Sequence, residues 1–279
     1  MSSNIHFPAL PDWAPTRNTL HAYARVLGAI RRAFTPEQYD WQHVSLRLYT
    51  AGLTTTPIPH PAEPARSFAL SMDLRNHYVL LTDSVGEVQQ YRIAEGYTAT
   101  ELGALLLEKL AAMGVEGQVL REKFANDEER RYALDDAERY FSALSSVGRV
   151  MQGFLDGLSE DKSDLQLWPH GFDLAFFKYG DRVAEYEEEG ETKEARAKIG
   201  AGFSPPTGEL VHEYFYVYSF PHEEQVTKAE LPAGASWHLE GWKGAMLPYG
   251  EIAEHDNGAD KLREFLQVAY DAHKGVIEK

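Results

Sequence analysis

The chain has 279 residues, 43% apolar and 25% charged, with a formal net charge of -16 and no cysteine. That is the composition of a globular protein with a sizeable core; it excludes disulfide and thiolate chemistry and leaves only His and carboxylates as metal ligands. The acid excess speaks against a nucleic-acid partner, which calls for a basic face.

No apolar run reaches the roughly 18 residues of a membrane span. The start, "MSSNIHFPALPDW", lacks the basic and apolar regions of a signal peptide. A cytoplasmic protein is therefore expected, without a membrane partner.

In chain order, Thr19–Phe34 sets Leu20, Tyr23, Ala24, Leu27, Ile30 and Phe34 on one face at helical spacing, and Thr35-Pro36 stops it. Trp41-Gln-His43 leads into "VSLRLYTA", which alternates like a strand. "GLTTTPIPHPAEP" is too rich in Pro and Thr for regular structure. "SFALSMDL", "YVLL" and "VQQYRI" read as three strands, and Thr98 with Glu101 has the spacing of a capping box. The helix it opens carries Leu102, Leu105, Leu106, Leu110 and Met113 and stops at Gly114.

After a connection of about 116–135, a second helix carries Tyr140, Phe141, Leu144, Val147, Met151, Phe154 and Leu155. Trp168-Pro-His170 precedes the strand "FDLAFF", and an acidic insertion occupies 181–200. "AEYEEEGETKEARAK" has almost nothing apolar to bury, so it reads as a solvated loop or, more pointedly, an acidic docking arm. As a loop it is dispensable to within about 1 kcal/mol. "GFSPPTG", the strands "YFYVYSF", "SWHL" and "GAMLPY", and a helix from about Ala259 complete the chain.

Each half thus reads helix, Trp-x-His, strand, Gly-containing loop, three strands, helix. The expected fold is α+β: duplicated halves, 1–115 and 136–279, forming antiparallel sheet with helices packed on it about a pseudo-twofold, in one compact unit. Two unrelated α+β halves are the alternative.

Several segments together carry a resemblance: "LPDWAPTRNTLHAYARVLGAIR", "WQHVSLRLYTAGLTTTPIP", "WPHGFDLAFF", "GFSP", "YFYVYSFP" and "FLQVAYDAH". Over nearly its whole length the chain resembles the bacterial family catalogued as domain of unknown function 5996. The resemblance implies a single unit of nearly full length and brings no activity or cofactor with it. Function has to be argued from the site.

Named catalytic motifs are missing: no phosphate-binding loop, no dinucleotide fingerprint, no His-Glu-x-x-His. "GASWH" starts like a nucleophile elbow and ends in His238 instead of Gly. The paired Trp-x-His units stand out. On strands, Trp41 with His43, and Trp168 with His170, would share a face. Two imidazoles beside indoles between the halves could bind a small ligand, or serve as general acid and base, with Asp173 able to orient His170 across a bulge.

Each of these has a plainer reading. The His residues could cap neighbouring loops, Asp173 could accept loop N–H groups, and the hydroxyls of Thr54, Thr55 and Ser204 could close local turns instead of touching ligand. Tyr214 and Tyr216, with Tyr218, form a period-two stripe that is either core or the wall of a pocket. His21, Arg25, Gly28 and Arg32 form a helix stripe, either solvated or an anion site. His43, His170, His212 and Glu213 are of metal-ligand type without metal-motif spacing, so no metal is assigned, and no cofactor is indicated. Two functions stay open: a small-organic-molecule-binding protein, possibly an enzyme using His, or a non-catalytic structural or interaction module.

Overall fold

The computed structural model describes residues 5–188 and 190–278. Two compact units emerge. One comprises Leu10–Ser142 and Gln166–Phe172; the other Met1–Ala9, Ala143–Leu165 and Asp173–Lys279. The 116–135 connection lies inside the first unit.

In the first unit, α1 spans Ala14–Phe34 and starts five residues earlier than the apolar spacing indicates. Pro15 accounts for the earlier start: its fixed φ suits the first turn, where no intrahelical N–H is needed. The buried stripe of α1 includes Leu20, Tyr23, Ala24, Leu27 and Ile30. A 3-10 turn, Tyr39–Val44, then leads to the short strands β1 (Arg47–Tyr49), β2 (Gly52–Thr54) and β3 (Ile58–Pro59). The longer strands β4 (Ser67–Asp73), β5 (Tyr78–Asp83) and β6 (Val88–Arg92) complete an antiparallel sheet of order β1-β2-β4-β5-β6, with β3 on β4. Phe68, Leu70, Met72, Val79 and Leu81 alternate into its buried face, and Phe34 of α1 meets Phe68 edge-on at 5.7 Å. Helix α2, Ala99–Ala112, opens with the capping box read from Thr98 and Glu101.

Helix α3, Leu134–Asp156, contributes its first nine residues to this unit. So does β7, Gln166–Trp168, through the bridge between Leu46 and Leu167.

The second unit is built on β8 (Asp173–Glu188), β9 (Glu191–Ser204) and β10 (Tyr214–Phe220), with β11 (Ser236–His238) and β12 (Gly244–Pro248) in antiparallel order β11-β12-β10-β9-β8. One face buries Leu174, Phe176, Ile199, Ala201, Phe203, Phe215, Val217, Ala245 and Leu247. Helix α4, Gly258–Ile277, lies against β8, β9 and β10. Phe154 of α3 bridges Phe176 and Tyr270 at 6.2 and 5.8 Å.

The fold is therefore α+β, as expected: two antiparallel sheets with helices. Three expectations need correction. The acidic insertion is not a loop: β8 and β9 continue through it as a two-stranded ribbon, paired out to Glu188 and Glu191 and closed through Gly190 at φ 81°. A ribbon extends an existing ladder without needing an apolar face, and opposite charges meet across it, as in Lys193–Glu188 at 2.7 Å.

Trp41 and His43 do not sit on a strand. They belong to the 3-10 turn, where Asp40 and Trp41 both take left-handed backbone, φ 52° and 59°.

The strand order also differs between halves. In the first sheet β4, β5 and β6 follow one another as neighbours, whereas in the second β10 pairs β12 and the intervening β11 lies outside β12 at the edge. The three closing strands of the two halves are thus not equivalent one for one.

Candidate functional site

The residues read from the sequence fall into two groups. In the first unit, His43 is buried and its Nδ1 accepts the Gln38 backbone N–H at 3.2 Å. Burial pushes its pKa below the ordinary value, with Glu37 opposing. Its ring stacks on Trp41 at 5.5 Å, and the Arg32 guanidinium lies over the same indole at 4.7 Å. A pocket of about 480 Å³ beside Trp41 is lined by Glu37, Gln38, Tyr39, Asp40 and Trp41, a single local turn, and His43 does not line it.

Trp168 is buried, while His170 is exposed just beyond β7, with the two rings edge-on at 6.2 Å. It is the carbonyl of His170 that is used, by His21 Nε2 at 3.1 Å. Thr54 Oγ1 donates to Leu70 O at 3.3 Å and accepts from Thr56 N. Thr55 Oγ1 donates to Thr56 O and accepts from Leu70 N. These hydroxyls close the local turn and tie it to β4.

The helix stripe is likewise engaged within the fold. Arg25 donates twice to Lys123 O, at 2.7 and 3.1 Å. At Gly28, an added Cβ would lie 2.6 Å from Pro169 and 2.9 Å from the Val44 carbonyl, so the space a ligand would need is filled by the chain itself.

The second unit brings four of the sequence-derived residues together. Asp173, Ser204, Tyr214 and Tyr216 line one pocket of about 690 Å³ with Tyr218, Phe220, His222, Trp242 and Lys243. The pairing makes this possible. Tyr214, Tyr216 and Tyr218 alternate onto the face opposite α4, and β9 sets Ser204, Gly202 and Gly200 directly across from them.

Side chains on Gly202 or Gly200 would collide with the tyrosine rings, each Cβ coming within 2.4 Å of Tyr216 or Tyr218. With hydrogens there instead, the rings lie across β9. The Tyr216 hydroxyl reaches β8 and donates to Asp173 Oδ2 at 2.5 Å. Burial, and then the Asp173 charge, hold the Tyr216 phenol well above its usual pKa, so it stays a donor.

Trp242 closes the other side, stacked on Tyr214 (6.0 Å, 12°) and edge-on to Tyr216 (6.0 Å). The Tyr214 hydroxyl is held at 2.7 Å from Thr207 Oγ1, and Ser204 Oγ donates to Pro205 O, so both sit as fixed polar groups at the rim. At the Phe220 end, His222 is half-buried with Nδ1 unpartnered, and its pKa is lowered by burial and then by Lys243.

Sequence reading missed His222, Trp242 and Lys243, which come from loops around β10 and β12. The glycines carried a readable signal: "IGAGFS" alternates small residues at the same period as the tyrosines of "YFYVYSF". Among the described residues no cluster of three His, Asp or Glu is arranged to hold a metal, and no helix is long and apolar enough to cross a membrane.

No curated protein and no solved structure matches the chain significantly. One family model does, over residues 7–277, and with that coverage the chain belongs to the family of unknown function DUF5996.

Proposed function

We propose that this protein binds a small planar organic molecule in the tyrosine-walled pocket of its second unit. A volume of about 690 Å³ suits such a ligand, since small-molecule sites are commonly about 300–1,000 Å³, mostly apolar, with a few fixed polar groups. The observation that carries the reading is the match of glycines to tyrosines. Gly200 and Gly202 give up side-chain packing so that two phenol rings can lie flat and one can bond Asp173. Clear of side chains at those two positions, this face presents the flat phenol rings and Trp242 to the pocket.

The site is thus read around Asp173 and Tyr216, with His43, His170, Thr54 and Thr55 serving the first unit's turns. The net charge of -16 supports a partner other than nucleic acid, and the cytoplasm is the compartment we assign.

Thermal-shift screening with a panel of planar compounds tests the binding reading, because a ligand of the native state stabilises it by about 2.7 kcal/mol at a hundred times its Kd. Stabilising compounds are expected, and their effect should be lost in Trp242→Ala. A panel with no stabilising member, or stabilisation indifferent to Trp242→Ala, would return the protein to the structural-module reading.

A further inference from the structure

The two ends of the pocket differ in charge. Asp173 and the Tyr216 hydroxyl occupy one end. His222 and Lys243 line the other, beside Phe220 and Trp242. Two carboxylates, Glu223 and Glu224, follow His222 in the chain. Glu223 is engaged by Arg182 at 2.6 Å. Glu224 exerts only a weaker pull on His222 than Lys243's opposing charge. Among the described residues Lys243 has no ion-pair partner, and His222 Nδ1 is buried without a hydrogen bond. A buried polar atom left unpaired is costly and is normally met by a ligand, ion or water.

Between the ends, the walls are aromatic faces, whose negative quadrupoles attract ring edges and cations and disfavour a bare anion. An anionic substituent would be repelled by Asp173 and by the ring faces and accepted only at His222 and Lys243.

Resting on the binding reading above, we infer that the ligand is an aromatic acid. Its ring lies among Tyr214, Tyr216, Tyr218 and Trp242, and its single anionic group meets His222 and Lys243. Asp173 makes the orientation one-way: it rejects the acid group and accepts any N–H or O–H on the ring's far edge. Discrimination by repulsion at one end and attraction at the other is how a small site selects between isosteric ligands.

Two fluorescent probes of nearly the same shape separate the charge from the ring: anilinonaphthalene sulfonate, which is anionic, and neutral N-phenylnaphthylamine. Each is titrated into the folded full-length protein, its variants Lys243→Met and Trp242→Ala, and His222→Gln as a second probe of the same end. Thermal melts confirm that each variant is folded.

The anionic probe should bind wild type about tenfold tighter than the neutral one, the equivalent of about 1.4 kcal/mol. Lys243→Met and His222→Gln should each remove most of that preference without changing affinity for the neutral probe. Trp242→Ala should weaken both probes. If both probes bind equally well, or Lys243→Met leaves the preference intact, the aromatic-acid inference fails while the planar pocket stands. If neither binds, or binding ignores Trp242→Ala, the pocket reading fails with it.

Discussion

Replacing Gly202 by alanine should destabilise the protein, although alanine is ordinarily the better strand residue. Gly202 does not occupy the left-handed region, so the backbone accepts a side chain there. On backbone grounds alone the change would stabilise by about 0.4–1 kcal/mol. The new Cβ, however, would sit 2.4 Å from both Cζ and the hydroxyl oxygen of Tyr216, where carbon contacts normally settle at about 3.5–4.0 Å. The ring must retreat by roughly 1 Å, which carries a 2.5 Å bond to Asp173 to the limit of about 3.5 Å beyond which it no longer counts.

Overpacking costs about 1–3 kcal/mol. Losing a bond to a charged acceptor adds about 1.5 kcal/mol, the lower end of its range because Asp173 is half-exposed. After subtracting the backbone gain, the net loss is about 1.5–4 kcal/mol. Urea denaturation measures it as a lower midpoint at unchanged slope.

A double-mutant cycle isolates the cause. In a Tyr216→Ala background the obstructing ring is gone, so Gly202→Ala should become neutral or stabilising, a coupling of at least about 1.5 kcal/mol. A Gly202→Ala protein as stable as wild type, or the same cost in both backgrounds, would refute the account of this wall.

Shortening the ribbon should have two distinct outcomes. Replacing Glu187–Thr192 by a two-residue Asn-Gly turn trims the exposed tip of the ribbon, including its exposed Lys193–Glu188 pair, and should change stability by at most about 0.5 kcal/mol. Removing 183–196 also takes Tyr186 from its edge-on contact with Phe220 (5.6 Å) and Arg196 from Asp161 and Gly180. That deletion should cost about 1–3 kcal/mol on chemical denaturation, and equal costs for the two would overturn the division. Acid should also weaken the fold. His43 and His273 are buried, and burial depresses both pKa values below 6.5, for His273 against the Ala269 carbonyl that favours charge. The unfolded chain then binds more protons, so stability is complete above about pH 6.5 and is lost as pH falls toward the depressed values, at up to about 1.4 kcal/mol per pH unit for each histidine. Urea midpoints that stay flat between about pH 7 and 5 would contradict it.

Periodicity and stop signals were enough to place all four helices, because amphipathic spacing, Thr98 with Glu101 and Thr35-Pro36 are local features that act within one or two turns. Alternation on a strand marked Tyr214 and Tyr216 as sharing a face, whereas Ser204 was marked as a hydroxyl in a Pro-containing loop and Asp173 as a partner for His170 across a bulge. Local signals could not say which strand lies beside which. That the tyrosines face Gly200 and Gly202 follows from the register of β9 on β10, a pairing set by long-range packing. The same limit explains the ribbon: its charges read as loop because the ladder that orders it begins in the buried part of β8 and β9. Trp41 and His43 looked like a strand pair because nothing local announces two successive left-handed residues at Asp40 and Trp41. The sequence determined the helices and the alternating faces of the core strands; only the tertiary structure joined Asp173, the tyrosine stripe, Trp242 and His222 into one pocket, because the pairing of β8, β9, β10 and β12 brings distant strands and their flanking loops together.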